Sequence, residues 1–294
     1  MHRYLRAIGF SNIQKKEEFD ALAAFSSECF QTEEIAVTSE GEDFFERRKA
    51  FAEQMGLLVR GIYNEKDEYQ IEYCIPYFTG KTERFYEDMI IERHAEKESY
   101  AGVCDDMNLG VSLIFYLQNV TEYLNRRRYG MMEEASASLI LSGLSVEGRI
   151  LMPVFQKTPV VSEIKATKDR NQMLQAARDG DEDAIENLTL EDMDTYSMIS
   201  RRIADEDVFS IVTTHFMPCG VECDHYNVMG EILEVELREN NKTKENIYVM
   251  TIETNEILLD ICINQKDLLG EPAPGRRFRG IIWLQGVVHF EEKW

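Results

Sequence analysis

The last long apolar segment constrains the fold of this chain most. Pro272 and Pro274, with Gly275 behind them, force a turn, because proline fixes φ and cannot donate to a sheet ladder. The residues that follow, Arg277 to Phe290, read as one long strand rich in β-branched and aromatic side chains. Gly280 and Gly286 stand where a curved sheet bends or another backbone comes close. The segment reads as the closing strand of a small barrel. Four runs before it have the same character: Val208 to Met217, Tyr226 to Arg238, Asn246 to Thr254 and Glu256 to Asn264, with Gly230 inside the second. Five such strands predict a C-terminal five-stranded small barrel of the OB-like kind over residues 206–294.

Upstream the pattern changes. The first 55 residues read as helices, one capped by Ser11 and running to about Phe30, another from about Glu42 to Met55. From Gly56 the period becomes two: the runs 57–63 and 68–76 flank the polar turn Asn64-Glu65-Lys66-Asp67, which predicts a hairpin. Strands are expected near 85–94, 99–104 and 109–118, a short helix over 121–128, and a second hairpin from 135–141 to 148–154. Pro153, Pro159 and a polar stretch then mark a boundary, followed by helices over 167–177, ended by Gly180, and 189–203. The expected fold is α+β: N-terminal helices plus an antiparallel meander over 1–155, a helical connector over 156–205, and the barrel.

Fifty-four acidic against 32 basic residues leave a formal charge of −22, which repels nucleic acid and anionic lipid. Nowhere do 18 apolar residues run together and the N-terminus has no signal-peptide pattern, so a cytoplasmic protein without a membrane span is expected. Of six cysteines, Cys29, Cys74, Cys104 and Cys262 lie singly in apolar segments and read as reduced core thiols.

The densest reactive cluster is His215 to His225. His215, Cys219, Cys223 and His225 include the ligand types of a tetrahedral zinc site, although Cys-x3-Cys without a distant second pair matches no structural zinc module. The same stretch would let His225 activate Cys223, with Asp224 or Glu222 orienting the imidazole, but neighbouring acids raise a thiol pKa rather than lower it. Arg126-Arg127-Arg128 followed by Ser145 and Gly148 resembles the cyclic-dinucleotide-binding PilZ pattern, with Gly143 where that pattern has an acid or asparagine. The competing reading is a row of helix-end arginines opposing a helix dipole. Arg277, Arg279 and Trp283 combine charge with a stacking ring, as a single-strand-binding surface requires. The acidic background favours pairing of these arginines with carboxylates instead. Asp179, Asp181 and Asp183 suggest a calcium loop, but Ala184 and Leu190 occupy its glycine and glutamate positions.

The opening Tyr4-Leu5-Arg6-Ala7-Ile8-Gly9-Phe10, the block Asn187 to Tyr196, and Gly275-Arg276-Arg277-Phe278-Arg279-Gly280 with Trp283-Leu284-Gln285-Gly286 resemble an uncharacterised domain-of-unknown-function family of gut Firmicutes. The resemblance implies a bacterial cytosolic protein and brings no activity or site residues with it. A non-catalytic binding or assembly protein is expected, with a protein partner or small ligand and no cofactor. The alternatives are a metal-dependent or thiol enzyme at His215 to His225, with zinc as its metal, and a nucleotide sensor using Arg127 and Ser145.

Overall fold

A computed structural model describes residues 2–38, 41–86, 89–93, 99–106, 111–129, 137–153, 173–174, 176–177, 180–190, 193, 212–221 and 223–290. A 3-10 turn at Arg3–Ile8 precedes α1 (Lys16–Glu28), β1 (Thr32–Val37), β2 (Asp43–Ala52), β3 (Met55–Tyr63) and β4 (Tyr69–Phe78). Then come β5 (Glu83–Tyr86), β6 (Met89–Arg93), β7 (Tyr100–Asp106), β8 (Val111–Leu117), α2 (Val120–Arg128) and β9 (Ala137–Leu151). The chain ends with β10 (His215–Pro218), β11 (His225–Glu239), β12 (Asn246–Thr254), β13 (Ile257–Asn264), β14 (Leu268–Leu269) and β15 (Arg277–Phe290). The chain divides into two compact units, one formed by Met1–Leu151 with Phe216–Trp294, the other by Met152–His215.

In the larger unit, β1 to β4 form a four-stranded antiparallel sheet in sequence order, and the other strands form a single eleven-stranded sheet. The α+β class with antiparallel sheets holds, but the division of the strands differs from the sequence reading. The described part of the stretch read as a second hairpin, Ala137–Leu151, does not turn back. It runs straight as the fifteen-residue β9, parallel to β13 on one side and antiparallel to β15 on the other. Gly143 and Gly148, which look like turn residues, sit where Ile282 and Phe278 lie against the β9 backbone. Five strands thereby complete a circuit of ladders: β11 with β12, β12 with β13, β13 with β9, β9 with β15, and β15 with β11. The place expected for the run 208–217 in this set is taken by β9. The eleven-stranded sheet therefore joins β5 to β9, from before residue 152, with β10 to β15, from after it.

Two N-terminal expectations also change. Ser11 caps no helix, because its N–H and hydroxyl both donate to the Glu245 carboxylate, at 3.2 and 2.6 Å. The helix starts at Lys16, where Glu18 accepts the N–H groups of Gln14 and Lys15. The segment expected as a helix from Glu42 is the strand β2, because pairing to β1 and β3 on both sides supplies its backbone partners. Tertiary pairing here overrides the helix preference of Arg47-Arg48-Lys49-Ala50.

One apolar cluster packs α2 and Phe44 of β2 with Phe115, Leu139, Ile261 and Leu284. A second joins the opening turn, α1 and the four-stranded sheet to Tyr116, Leu144, Cys262 and Trp283. Within the first, the Phe115 ring lies across two glycine positions, so that a Cβ on Gly102 or on Gly286 would come within 2.1 or 2.5 Å of it. Cys74, Cys104 and Cys262 are buried as expected, whereas Cys29, just past the end of α1, is exposed. In the smaller unit Gly180, at φ +90°, ends a helical turn, and the Asp181 carboxylate accepts the N–H groups of Asp183 and Ala184 to open a helix over residues 182–190. The expected helix over 189–203 lies largely outside the described residues, as does most of that over 167–177. No helix among the described residues is long and apolar enough to cross a membrane.

Candidate functional site

The loop between β10 and β11 is closed by the Cys219 N–H, which donates to the His225 carbonyl at 2.8 Å. Its tip points outward: Val221 is fully exposed and Cys223 is exposed. At the base the chain turns inward. The Leu284 N–H donates to the Asp224 carbonyl, and His225 pairs with Trp283 in the β11–β15 ladder. The Asp224 carboxylate then holds two side chains at once, His225 Nδ1 at 2.9 Å on one oxygen and the Trp283 indole N–H at 2.7 Å on the other. Three further rings surround the indole. The His2 centroid lies 4.4 Å from it, Tyr116 5.3 Å and Tyr4 5.5 Å, and Tyr4 also stands 5.4 Å from His225. The opening turn, Arg3–Ile8, delivers His2 and Tyr4. It is anchored by Arg6 to Asp267 and closed by Gly9 at φ +89°.

Chemically this is an imidazole oriented by a carboxylate inside an aromatic cage. A carboxylate on Nδ1 fixes a histidine's tautomer and presents its other nitrogen, the arrangement used by general bases. The second imidazole behaves differently. His2 Nδ1 is enclosed and has no hydrogen-bond partner among the described residues. Burial, partly opposed by the Asp224 charge, lowers its pKa to about 4. The unfolded chain takes up this proton first as the pH falls. The stability that a neutral His2 contributes is thus complete above about pH 6.5 and is lost towards about pH 4. Because His2 keeps part of its surface in solvent, we expect about 2–3 kcal/mol across that window. Urea unfolding at pH 7 and pH 4.5 checks it: His2→Phe, which keeps a ring on Trp283 but cannot titrate, shows that much less acid loss than the wild type.

Of the residues singled out in the sequence, the structure joins His225 and Trp283 through Asp224. His215 opens the edge strand β10, and among the described residues no three His, Cys, Asp or Glu side chains gather as a metal set. Arg127 lies in the last turn of α2 with Arg126 and Arg128. Ser145 is fully buried inside β9, its hydroxyl 2.9 Å from the carbonyls of both Glu147 and Ile281. Arg277 is buried at the start of β15, Arg279 stands two residues on, and the Trp283 ring is enclosed rather than offered as a stacking surface. The sequence reading missed His2, Tyr4 and Tyr116, since nothing in a linear pattern links residue 2 to residue 283. Burial raises the Cys74 and Cys104 thiols to about 12, which keeps them protonated at neutral pH.

An open concavity lies at the rim of the four-stranded sheet, where the turn before β2 meets the β3–β4 turn. It measures about 610 Å³ and is lined by Glu42, Asp43, Phe45, Ile62, Tyr63 and Asp67.

A family model described as a domain of unknown function, E. rectale gene description (DUF3881), matches residues 5–286. No curated protein and no solved structure matches the chain.

Proposed function

We propose that this chain, which belongs to the DUF3881 family of domains of unknown function, is a non-catalytic cytosolic binding or assembly protein. The observation that carries the reading is the use made of Asp224. Both of its oxygens are committed, one to His225 and one to the buried Trp283, so this carboxylate is built into the packing of the sheet. The rim concavity, by contrast, is open and within the ~300–1,000 Å³ range of ligand sites. We also take the circuit of ladders through β9, β11, β12, β13 and β15 as support for an OB-like small barrel with β9 as its fifth strand. A broad hydrolase and phosphatase screen on the purified chain tests the reading. No turnover is expected, and activity that disappears in Cys223→Ala or His225→Ala overturns it.

One observation favours a second reading, the 2.9 Å contact of Asp224 with His225 beside Cys223. It suits a thiol enzyme, or a zinc site drawing on His215, Cys219, Cys223 and His225. Against it stands the exposed loop tip, which puts Cys223 in water. A nucleotide sensor is disfavoured by the enclosure of Ser145 between two ladders.

A further inference from the structure

We propose that the rim cavity of the four-stranded sheet binds a small organic cation, an alkylamine or guanidine on a short apolar stem. The inference rests on the binding reading above and names its ligand class. The cavity has two kinds of wall. One is aromatic and apolar: the Phe45 and Tyr63 rings meet edge to face at 4.7 Å, with Ile62 beside them. The other is three carboxylates, Glu42, Asp43 and Asp67, and none of these has an ion-pair or side-chain hydrogen-bond partner among the described residues. No lysine or arginine lines the space.

Local bonding holds both walls. The Thr38 N–H donates to the Glu42 carbonyl and the Glu42 N–H returns to the Thr38 hydroxyl, fixing one turn. In the other, the Asn64 side chain accepts the N–H groups of Lys66 and Glu68, and Asp67 is set at φ +60°. The same aromatic row already binds a guanidinium from within the chain. Arg47 lies 3.9 Å from the Tyr69 ring centroid and donates to the Tyr63 hydroxyl at 2.7 Å, while Tyr63 packs on Tyr69 at 5.5 Å. Arg47, which Glu33 also pairs, thus takes the Tyr69 face, while Phe45 and Tyr63, with the unpaired carboxylates, line the space for a second cation. A ring face with a nearby carboxylate is the chemistry that selects ammonium and guanidinium groups over neutral isosteres.

The test is calorimetric titration with agmatine at about 0.15 M salt, where diffuse attraction to the acidic surface is screened beyond about 8 Å. The neutral 1,5-pentanediol serves as control. Saturable binding of one agmatine and none of the diol is expected, weakened about tenfold or more in Glu42→Gln/Asp43→Asn/Asp67→Asn. Asparagine tolerates a positive φ, so the turn at position 67 is kept. A matched triple, Glu17→Gln/Glu253→Gln/Glu271→Gln, leaves affinity unchanged. Equal loss in both triples, or no saturable agmatine binding, overturns the inference. If agmatine fails while another ligand class saturates the protein, the binding reading survives without it; turnover in the enzyme screen would remove the binding reading itself.

Discussion

Replacing Arg60 by methionine is expected to cost about 3–5 kcal/mol, the range for leaving one member of a buried ion pair alone. Arg60 and Glu46 are both wholly enclosed, with Nε 2.6 Å from the carboxylate. The guanidinium also donates to the Tyr73 hydroxyl at 3.0 Å, the Tyr116 hydroxyl at 2.7 Å and the Gln118 carbonyl at 3.0 Å. Burial by itself would favour loss of the Arg60 proton. The Glu46 charge and the two phenols outweigh it and hold the group well above the ordinary arginine value. These bonds reach from β3 to β8 and so tie the small sheet to the large one. Gln118 extends the tie, donating to the Phe78 carbonyl and to Gln285 of β15. Methionine fills the space but takes the Arg60 partner from the buried Glu46 carboxylate, leaving it, among the described residues, to Arg48, which is itself partly exposed. Denaturant unfolding of Arg60→Met, Glu46→Leu and the double variant measures the coupling. The double variant should lose less than Arg60→Met, because no buried charge is then unmatched. A loss below about 1 kcal/mol in Arg60→Met would mean that the network does not hold the sheets together.

Trp283→Ala should be comparably severe, about 3–5 kcal/mol, the usual loss on truncating a buried aromatic. The indole is 3% exposed and contacts the His2, Tyr4 and Tyr116 rings. Truncation also removes the donor to Asp224 and loosens the opening turn, which packs on the same ring. Trp283→Phe separates these effects: the ring stays, Asp224 loses its donor, and the loss falls to about 1–2 kcal/mol. Equal losses in the two variants would place the stability in the Asp224 bond rather than in the cage.

How much of this could be read from the sequence depends on whether a pattern is local. β12 and β15 fall where they were read, at Asn246–Thr254 and Arg277–Phe290, because each is a run of β-branched and aromatic residues bounded by turn signals of its own. Membership of a family of unknown function was legible as well, in the blocks Tyr4 to Phe10, Asn187 to Tyr196 and Gly275 to Gly286, and the family model covers residues 5–286. β2 was not legible. Glu46, Arg47, Arg48 and Lys49 favour a helix, and only a partner on β3 reveals that Glu46 is a buried charge. β9 failed in another way. Its glycines look like turn residues and serve as places where neighbouring side chains cross the backbone. In the site, His225 and Trp283 were visible as residue types, but their link through Asp224 depends on the β11–β15 register. The cation cavity left no motif, because its walls come from two turns more than twenty residues apart.

Native mass spectrometry of the full chain, purified without chelator and then titrated with agmatine, tests the central claim of a non-catalytic binding protein most directly. The bare chain mass is expected in every oligomeric state present, then one agmatine per chain that Glu42→Gln/Asp43→Asn/Asp67→Asn does not retain. A chain that arrives carrying one zinc, lost in Cys219→Ser and His225→Ala, would contradict it and move the function to the loop before β11.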